Sequence, residues 1–379
     1  MKKIPFSKSA KINNNLSYIN QSLSLGRTEG NSIFSKKVEK LIENKLLNKK
    51  GKAFLTPSCT AALELSAILL DFKKGDEVII PSFTFVSTAL AYYMNGAKIV
   101  FSDIRPDTLN IDESKLEGLI TKKTKAIVVV HYAGVSCEMD TIMEIAKKYK
   151  LIVIEDNAHG IFGKYKKKPL GSIGHFSTFS FHSTKNLSCG EGGALVINDF
   201  KFIERAHTIR EKGTNRHKFV KREISKYTWV DKGSSFLLSD LLSAMLYQQF
   251  KFSKKIQNKR KEIWNTYQSM LTNWAHKNNI KIPYVPKNCK QSYHMFYLLF
   301  DTKLKRNKFK KYLSVHNIEG NFHYEPLHLS KFAIKNKFKS RNIKVSKQIS
   351  ECIIRLPFFY NIKKIELDYI IEKIKEYRN

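Results

Sequence analysis

Ile152-Val153-Ile154-Glu155-Asp156 is a short β-branched run closed by two carboxylates. A run of this length reads as a buried strand in a parallel sheet. Asp156 then falls at the strand's C-terminal end, where open α/β sheets gather their ligands. Further on, Phe179-Ser180-Phe181-His182-Ser183-Thr184-Lys185-Asn186 places a lysine just past another strand candidate. Lysine is the one side chain that holds an aldehyde cofactor as a Schiff base, and a buried Asp is the natural partner of a pyridinium nitrogen. The pair is what a pyridoxal phosphate (PLP) enzyme needs.

Working outward, residues 50–200 alternate short apolar runs with helical segments, the pattern of a sheet covered by helices. Strands are predicted at Ala53–Thr56, Glu77–Ile80, Lys98–Ser102, Ala126–His131, Leu151–Glu155, Thr178–Phe181 and Ala194–Ile197. Helices are predicted at Thr60–Leu70 and Met139–Tyr149. After residue 200 the texture changes. Phe202–Lys212 reads as a helix, 213–233 as a polar stretch, and Leu237–Gln257 as one long helix leaving the large domain. Strand candidates at His294–Phe300, Gly320–Tyr324 and Ile353–Leu356 alternate with helices at Asn307–His316, Ser346–Cys352 and Glu366–Tyr377. The expected organisation is a large α/β domain over 1–250, with residues 1–30 near the site, and a smaller α+β domain over 251–379.

The chain has 379 residues and a formal charge of +34. Such a charge suits nucleic acid or an anionic membrane. Its distribution argues otherwise: lysine outnumbers arginine about five to one and is dispersed, whereas phosphate and base recognition favours arginine's planar fork. No nucleic-acid or membrane partner is therefore expected. No apolar run approaches the roughly 20 residues that span a bilayer, and no signal-peptide core follows Met1-Lys2-Lys3. A cytoplasmic protein is expected. The five cysteines are scattered and lack C-x-x-C spacing, so neither a disulfide framework nor a metal site is expected.

Thr56-Pro57-Ser58-Cys59-Thr60-Ala61 is a strand-to-helix turn whose hydroxyls and free N–H groups suit a phosphate dianion, the helix dipole adding to them. Taken alone it is a weak signal, because Ser and Thr before a helix are ordinary N-caps. Ser180 is a second hydroxyl source. His159 is placed to hydrogen-bond the cofactor's phenolic oxygen, or to be a structural histidine. Phe85 is placed to stack on a pyridine ring, or to sit in the core. Gly190-Glu191-Gly192-Gly193 is a tight turn. Metal clusters, a P-loop and a G-x-S-x-G elbow are absent from the sequence.

With these pieces placed, the chain resembles the PLP-dependent nucleotide-sugar aminotransferases of fold type I. TPSCTAALE (56–64), GDEVIIPSFTFVSTA (75–89), GAKIVFSDIRPDTLNID (96–112), VVHYAGVSCEMDTI (129–142), FSFHSTKN (179–186), GEGGA (190–194), IREKGTNR (209–216) and RLPFFYN (355–361) carry the resemblance. It implies an α/β fold of a large, mostly parallel sheet between helices plus a smaller C-terminal α+β domain. It implies PLP bound by Lys185 and Asp156, its phosphate at Thr60, Ala61 and Ser180, and its ring face on Phe85. His159 stands where the family usually has Gln, and either type donates to the phenolate. A homodimer with shared sites is implied, completed by a partner loop that here is Ser234 and Ser235, where the family more often has Asn. Arg216, Tyr324 and His328 fall in substrate-side motifs. The implied reaction moves the amino group of glutamate to C4 of dTDP-4-dehydro-6-deoxyglucose, for surface polysaccharide. Transfer at C3 or on a UDP- or GDP-sugar is the alternative, and a non-catalytic PLP-binding regulator is the alternative from another class.

Overall fold

The computed structural model describes residues 2–12 and 16–378. Of the N-terminal stretch expected near the site, residues 1 and 13–15 lie outside the described residues. In chain order the strands are β1 (Lys52–Thr56), β2 (Glu77–Pro81), β3 (Lys98–Ser102), β4 (Thr124–Val130), β5 (Ile152–Asp156), β6 (Lys164–Tyr165), β7 (Lys168–Pro169), β8 (Phe176–Ser180), β9 (Gly193–Ile197), β10 (Cys289–Lys290), β11 (Tyr297–Leu299), β12 (Lys339–Ser340) and β13 (Ile353–Arg355). Eight of them form the main sheet in the order β1-β9-β8-β5-β4-β2-β3-β12. Within it β9 alone runs against its neighbours.

The central strands are apolar on both faces because helices cover both. Successive strand residues point to opposite sides. Val78, Ile80, Ala126, Val128 and Ile154 enter the core beneath helices Cys59–Leu70 and Ser87–Met94. Ile79, Ile127, Val129 and Val153 enter the core beneath helix Met139–Tyr149. Both sheet edges are blunted, which limits the unpaired backbone groups that could template aggregation. At the β1 edge, carboxylates of helix Ile33–Lys45 replace a strand: Leu55 N donates to Glu39 Oε1 at 3.0 Å and Ala53 N to Glu43 Oε1 at 3.2 Å. At the other edge β12 pairs with β3.

A separate core gathers Ile4, the apolar face of helix Ser253–Lys277 (Ile263, Trp264, Tyr267, Leu271, Trp274), β11, β13 and helices Lys303–Val315 and Lys364–Glu376. Asp103 ties this C-terminal region to the sheet. Its carboxylate accepts from Lys344 N (2.9 Å), Val345 N (3.0 Å), Ser346 N (2.8 Å) and Ser346 Oγ (2.8 Å), capping helix Val345–Cys352. Burial opposes ionisation there, but these bonds prevail and hold the carboxyl below its usual range.

Three differences from the predicted elements stand out. The helix predicted over 237–257 is two helices, Asp240–Lys251 and Ser253–Lys277, separated by a non-helical Phe252 (φ −98°, ψ 8°). The buried positions of the second recur every three or four residues up to Trp274, a stripe that the lysine-rich 251–261 stretch hides in the sequence. Gly320–Tyr324 forms no strand; Asn321 makes one isolated bridge to Arg355. The two-residue β12 has too little sequence to carry a period, and its pairing comes from docking against β3.

Behind β1, Arg210 Nη1 donates to Glu39 Oε1 at 3.0 Å, with side-chain exposures of 3% and 9%. Glu39→Ala strands this buried guanidinium and an edge N–H together. It is expected to cost about 3–5 kcal/mol of unfolding free energy. Urea denaturation measures this, and a loss below about 1 kcal/mol would mean that water reaches the pair.

Candidate active site

The C-terminal ends of the parallel strands surround a cavity of about 360 Å³, within the size range of small-molecule sites. Thr60, Phe85, Asp156, His159, Ser180, Lys185 and Tyr324 all line it. Ala61 sits behind the lining, its N–H donating to Ser58 Oγ at 3.0 Å. Ser58 is the N-cap of helix Cys59–Leu70, so the first-turn amides of Cys59 and Thr60 have no intrahelical acceptor. Gly193 is required beside this turn, because a Cβ there would lie 2.4 Å from Ser58 C and O and from Cys59 N. The GEGGA turn thus lets β9 approach the helix start.

Asp156 is buried at the end of β5. Its Oδ2 accepts from Thr88 Oγ1 at 2.8 Å and its Oδ1 from Ala158 N at 3.2 Å. Since the Thr88 proton is committed to Asp156, Thr84 must donate to Thr88 across their 2.9 Å contact. Burial raises the Asp156 pKa despite these bonds and the Lys185 charge. The carboxylate therefore gains from a further cation.

Lys185 follows β8 in a loop fastened by its neighbour. Asn186 Nδ2 donates to Ser292 O at 2.7 Å, and Asn186 Oδ1 accepts from His294 Nδ1 at 2.9 Å. Lys185 Nζ makes no hydrogen bond or ion pair among the described residues. Burial pulls its pKa down to about 8, with the Arg355 charge in the same direction and Cys59 and Asp156 opposing. Cys59, beside it, is pushed up to about 12 by burial and the Asp156 charge, so its thiol stays protonated.

His159 stacks on His294 with ring centroids 4.3 Å apart and planes 16° apart. Burial, with nearby cations adding, holds both rings well below the usual histidine range, so both are neutral. His159 Nε2 lies 3.3 Å from Tyr324 Oη, and its buried Nδ1 has no partner. Phe85 is 57% exposed, an apolar face turned to the cavity instead of the core.

The other predicted site residues lie elsewhere. Arg216 pairs with Glu211 Oε2 at 3.1 Å and is half exposed. His328 Nδ1 contacts Ser82 Oγ at 2.6 Å. Ser234 and Ser235 are exposed in a turn that folds back on Ile209 and Glu211. None of the four lines this chain's cavity. Glu155, His294 and Arg355 were not singled out from sequence. Glu155 is fully buried on the face opposite Asp156, where it accepts from Gly171 N (2.8 Å), Ile173 N (2.8 Å), Gly174 N (2.7 Å) and His131 Nε2 (2.9 Å). Burial opposes its ionisation, but these partners prevail and lower its pKa. Strand alternation was the available signal, since adjacent carboxylates must face opposite ways.

The residues fit PLP. A buried carboxylate short of positive charge, an amine kept near neutrality, two unaccepted helix-start amides and an exposed aromatic face all border one cavity. Among the described residues no group of three or more His, Cys, Asp or Glu is placed to hold a metal, and no helix is long and apolar enough to cross a membrane.

Residues 12–375 match the DegT/DnrJ/EryC1/StrS aminotransferase family. The chain is 33% identical over 328 residues to the spore coat polysaccharide biosynthesis protein SpsC of Bacillus subtilis, covering 84% of this chain and 83% of that protein. It is 30% identical over 349 residues to the UDP-4-amino-4-deoxy-L-arabinose–oxoglutarate aminotransferase of Shewanella sediminis, covering 88% and 89%. Among solved structures it is similar to Spr1654 from Streptococcus pneumoniae, described as a sugar aminotransferase and solved in its PLP form. That similarity has a TM-score of 0.89 at 26% identity over 98% of each chain. With a family match over nearly its whole length and relatives at 30% identity or more, this chain belongs to the DegT/DnrJ/EryC1/StrS aminotransferase family and is a PLP-dependent sugar aminotransferase of fold type I.

Proposed function

We propose that this enzyme moves the amino group of glutamate to C4 of a nucleotide-linked 4-keto-6-deoxy sugar, with dTDP-4-dehydro-6-deoxyglucose as substrate and dTDP-4-amino-4,6-dideoxygalactose as product, for surface polysaccharide. The observation that carries the reading is Lys185: an enclosed, unpaired amine with a pKa near 8, sharing a cavity with the buried Asp156. The polysaccharide role is supported by the name of SpsC, and oxoglutarate as the deaminated donor by the name of the Shewanella relative. The motifs at 179–186, 209–216 and 355–361 favour the dTDP-sugar and C4.

Bound PLP supplies an aldehyde and an electron-accepting ring. Asp156 would hold a proton on the ring nitrogen, and its bonds from Thr88 and Ala158 fix where that charge sits. The helix-start amides of Cys59 and Thr60, with the Thr60 and Ser180 hydroxyls, would hold the phosphate. Phe85 would cover the ring face, and neutral His159 would donate to the phenolic oxygen. Lys185 Nζ would take the proton from the donor's Cα and later deliver one to the sugar's C4, which requires the free amine that burial favours. Ser234 and Ser235 would complete the partner's site in a homodimer. Their exposure, and the 78% exposure of Trp229 on the neighbouring loop, suit that contact.

The test is incubation with glutamate and a panel of dTDP-, UDP- and GDP-linked 4-keto and 3-keto sugars, with the amino position read by NMR. A C4-amino dTDP-sugar is expected, and Lys185→Ala should lower turnover by at least about 10²- to 10⁴-fold. Selective amination at C3, or of a UDP- or GDP-sugar alone, would replace the proposed substrate. Catalysis that survives Lys185→Ala would remove Lys185 from the reaction.

Reloading of the apoprotein with PLP tests the amine separately. Only free-base Lys185 attacks an aldehyde, and its lowered pKa means that this form accumulates as pH rises through about 8. Stopped-flow reloading rates should rise through that range and level off above it. A rate still climbing toward pH 10 would describe an ordinary exposed lysine.

A further inference from the structure

Residues 4–11 form a strap along the Lys185 cavity, and Phe6 of this strap is part of the cavity wall. The strap is fastened along its length. Ile4 is buried, its N–H donating to Asn317 O at 2.8 Å and its carbonyl accepting from Glu319 N at 3.0 Å. Phe6 is held at both backbone groups: its N–H donates to Glu319 Oε2 at 2.9 Å, and its carbonyl accepts from Phe358 N at 3.1 Å. Ser9 Oγ then donates to Ser183 O at 3.1 Å, two residues before Lys185. Lys11 and Asn361 exchange bonds of 2.7 and 2.8 Å. The Phe6 ring is supported as well. The Arg355 guanidinium lies 4.7 Å from its centroid, and that guanidinium is itself bonded to His323 Nδ1. A ring fixed in this way shapes what fits beside it.

Placement separates Phe6 from the other apolar side chains of the wall. Phe85 is assigned to the cofactor's ring face. Leu63 belongs to helix Cys59–Leu70, whose start suits the phosphate, and Val130 pairs in register with Asp156. These lie with the cofactor. Phe6 enters with the C-terminal segments instead, where its neighbours in the wall, His323, Tyr324 and Arg355, are polar. A hexose that presents C4 to Lys185 has two flanks. C3 carries a hydroxyl, and C5 carries C6. In a 6-deoxy sugar C6 is a methyl group, so one flank is polar and the other apolar. A single fixed aromatic ring among polar side chains matches that pair.

We propose that Phe6 packs against the C6 methyl group of the sugar and is the side chain that selects a 6-deoxy sugar over its 6-hydroxy counterpart. This rests on the aminotransfer reading above and adds to it the residue that recognises the sugar's apolar end. A methyl group against the ring leaves water, whereas a hydroxymethyl group there would bring a hydroxyl to a surface with no hydrogen bond to offer.

The test compares two stable amino sugars, dTDP-4-amino-4,6-dideoxygalactose and dTDP-4-amino-4-deoxygalactose, which differ only in the hydroxyl at C6. Single-turnover amino transfer from each to PLP-loaded protein is followed by cofactor absorbance, for wild type, Phe6→Ala and Phe6→Tyr. Wild type should favour the 6-deoxy sugar in kcat/KM by about 10- to 100-fold. Phe6→Ala should lose about tenfold or more of that ratio, chiefly through the 6-deoxy sugar. Phe6→Tyr keeps the ring, and with it the fold of the strap, and its hydroxyl should move the ratio toward the 6-hydroxy sugar. The half-reaction with L-glutamate, which has no such methyl group, should hold within about threefold in both variants. Equal use of the two sugars by wild type, a ratio unmoved in both variants, or an equal loss with glutamate and sugar would overturn the assignment and leave aminotransfer standing. A wild type that reacts with glutamate but with neither sugar would overturn the substrate proposed above, and the role of Phe6 with it.

Discussion

Asp156 is a carboxylate taken out of water with two hydrogen-bond donors and no ion-pair partner among the described residues. Burying such a charge is costly, and the surrounding structure has to hold it in place until a cation arrives. It does so from both sides of one strand. On the cavity side Thr84 and Thr88 form a relay that ends on Asp156. On the opposite side Glu155 grips the 171–174 turn through three backbone amides and His131. That grip fixes the end of β5, and with it the position of Asp156.

The other wall is built on the same economy. Asn186 uses both ends of its amide to pin the Lys185 loop to the 292–294 segment, and His294 in turn supports the ring of His159. Neutral imidazoles there avoid adding charge beside Lys185 and Arg355. Lys185, Arg355 and the buried Asp156 thus border a small cavity with no ion pair among the three. Such unspent electrostatics mark a site that is completed by ligands.

Much of this was legible in the sequence, for identifiable reasons. The β-branched runs at Val78–Ile80, Ile127–Val130 and Ile152–Ile154 announce strands buried on both faces, and they form the centre of the sheet. Asp156 could be read because it closes one of these runs, and Lys185 because it comes shortly after another strand. Ser234, Ser235, Arg216 and His328 rested on resemblance alone, and this chain's cavity does not include them. The break at Phe252 was illegible because the lysines at 251, 254, 255, 259 and 261 mask the stripe that follows it. Arg355 was illegible for another reason: that it lines the Lys185 cavity with no carboxylate paired to it among the described residues shows only in three dimensions.

The central claim is that one lysine among many is the cofactor's covalent anchor. Borohydride reduction of the PLP-loaded protein, followed by peptide mass mapping, tests it most directly. The account predicts one pyridoxyl adduct per chain, on Lys185. An adduct on another lysine, with Lys185 unmodified, would contradict it.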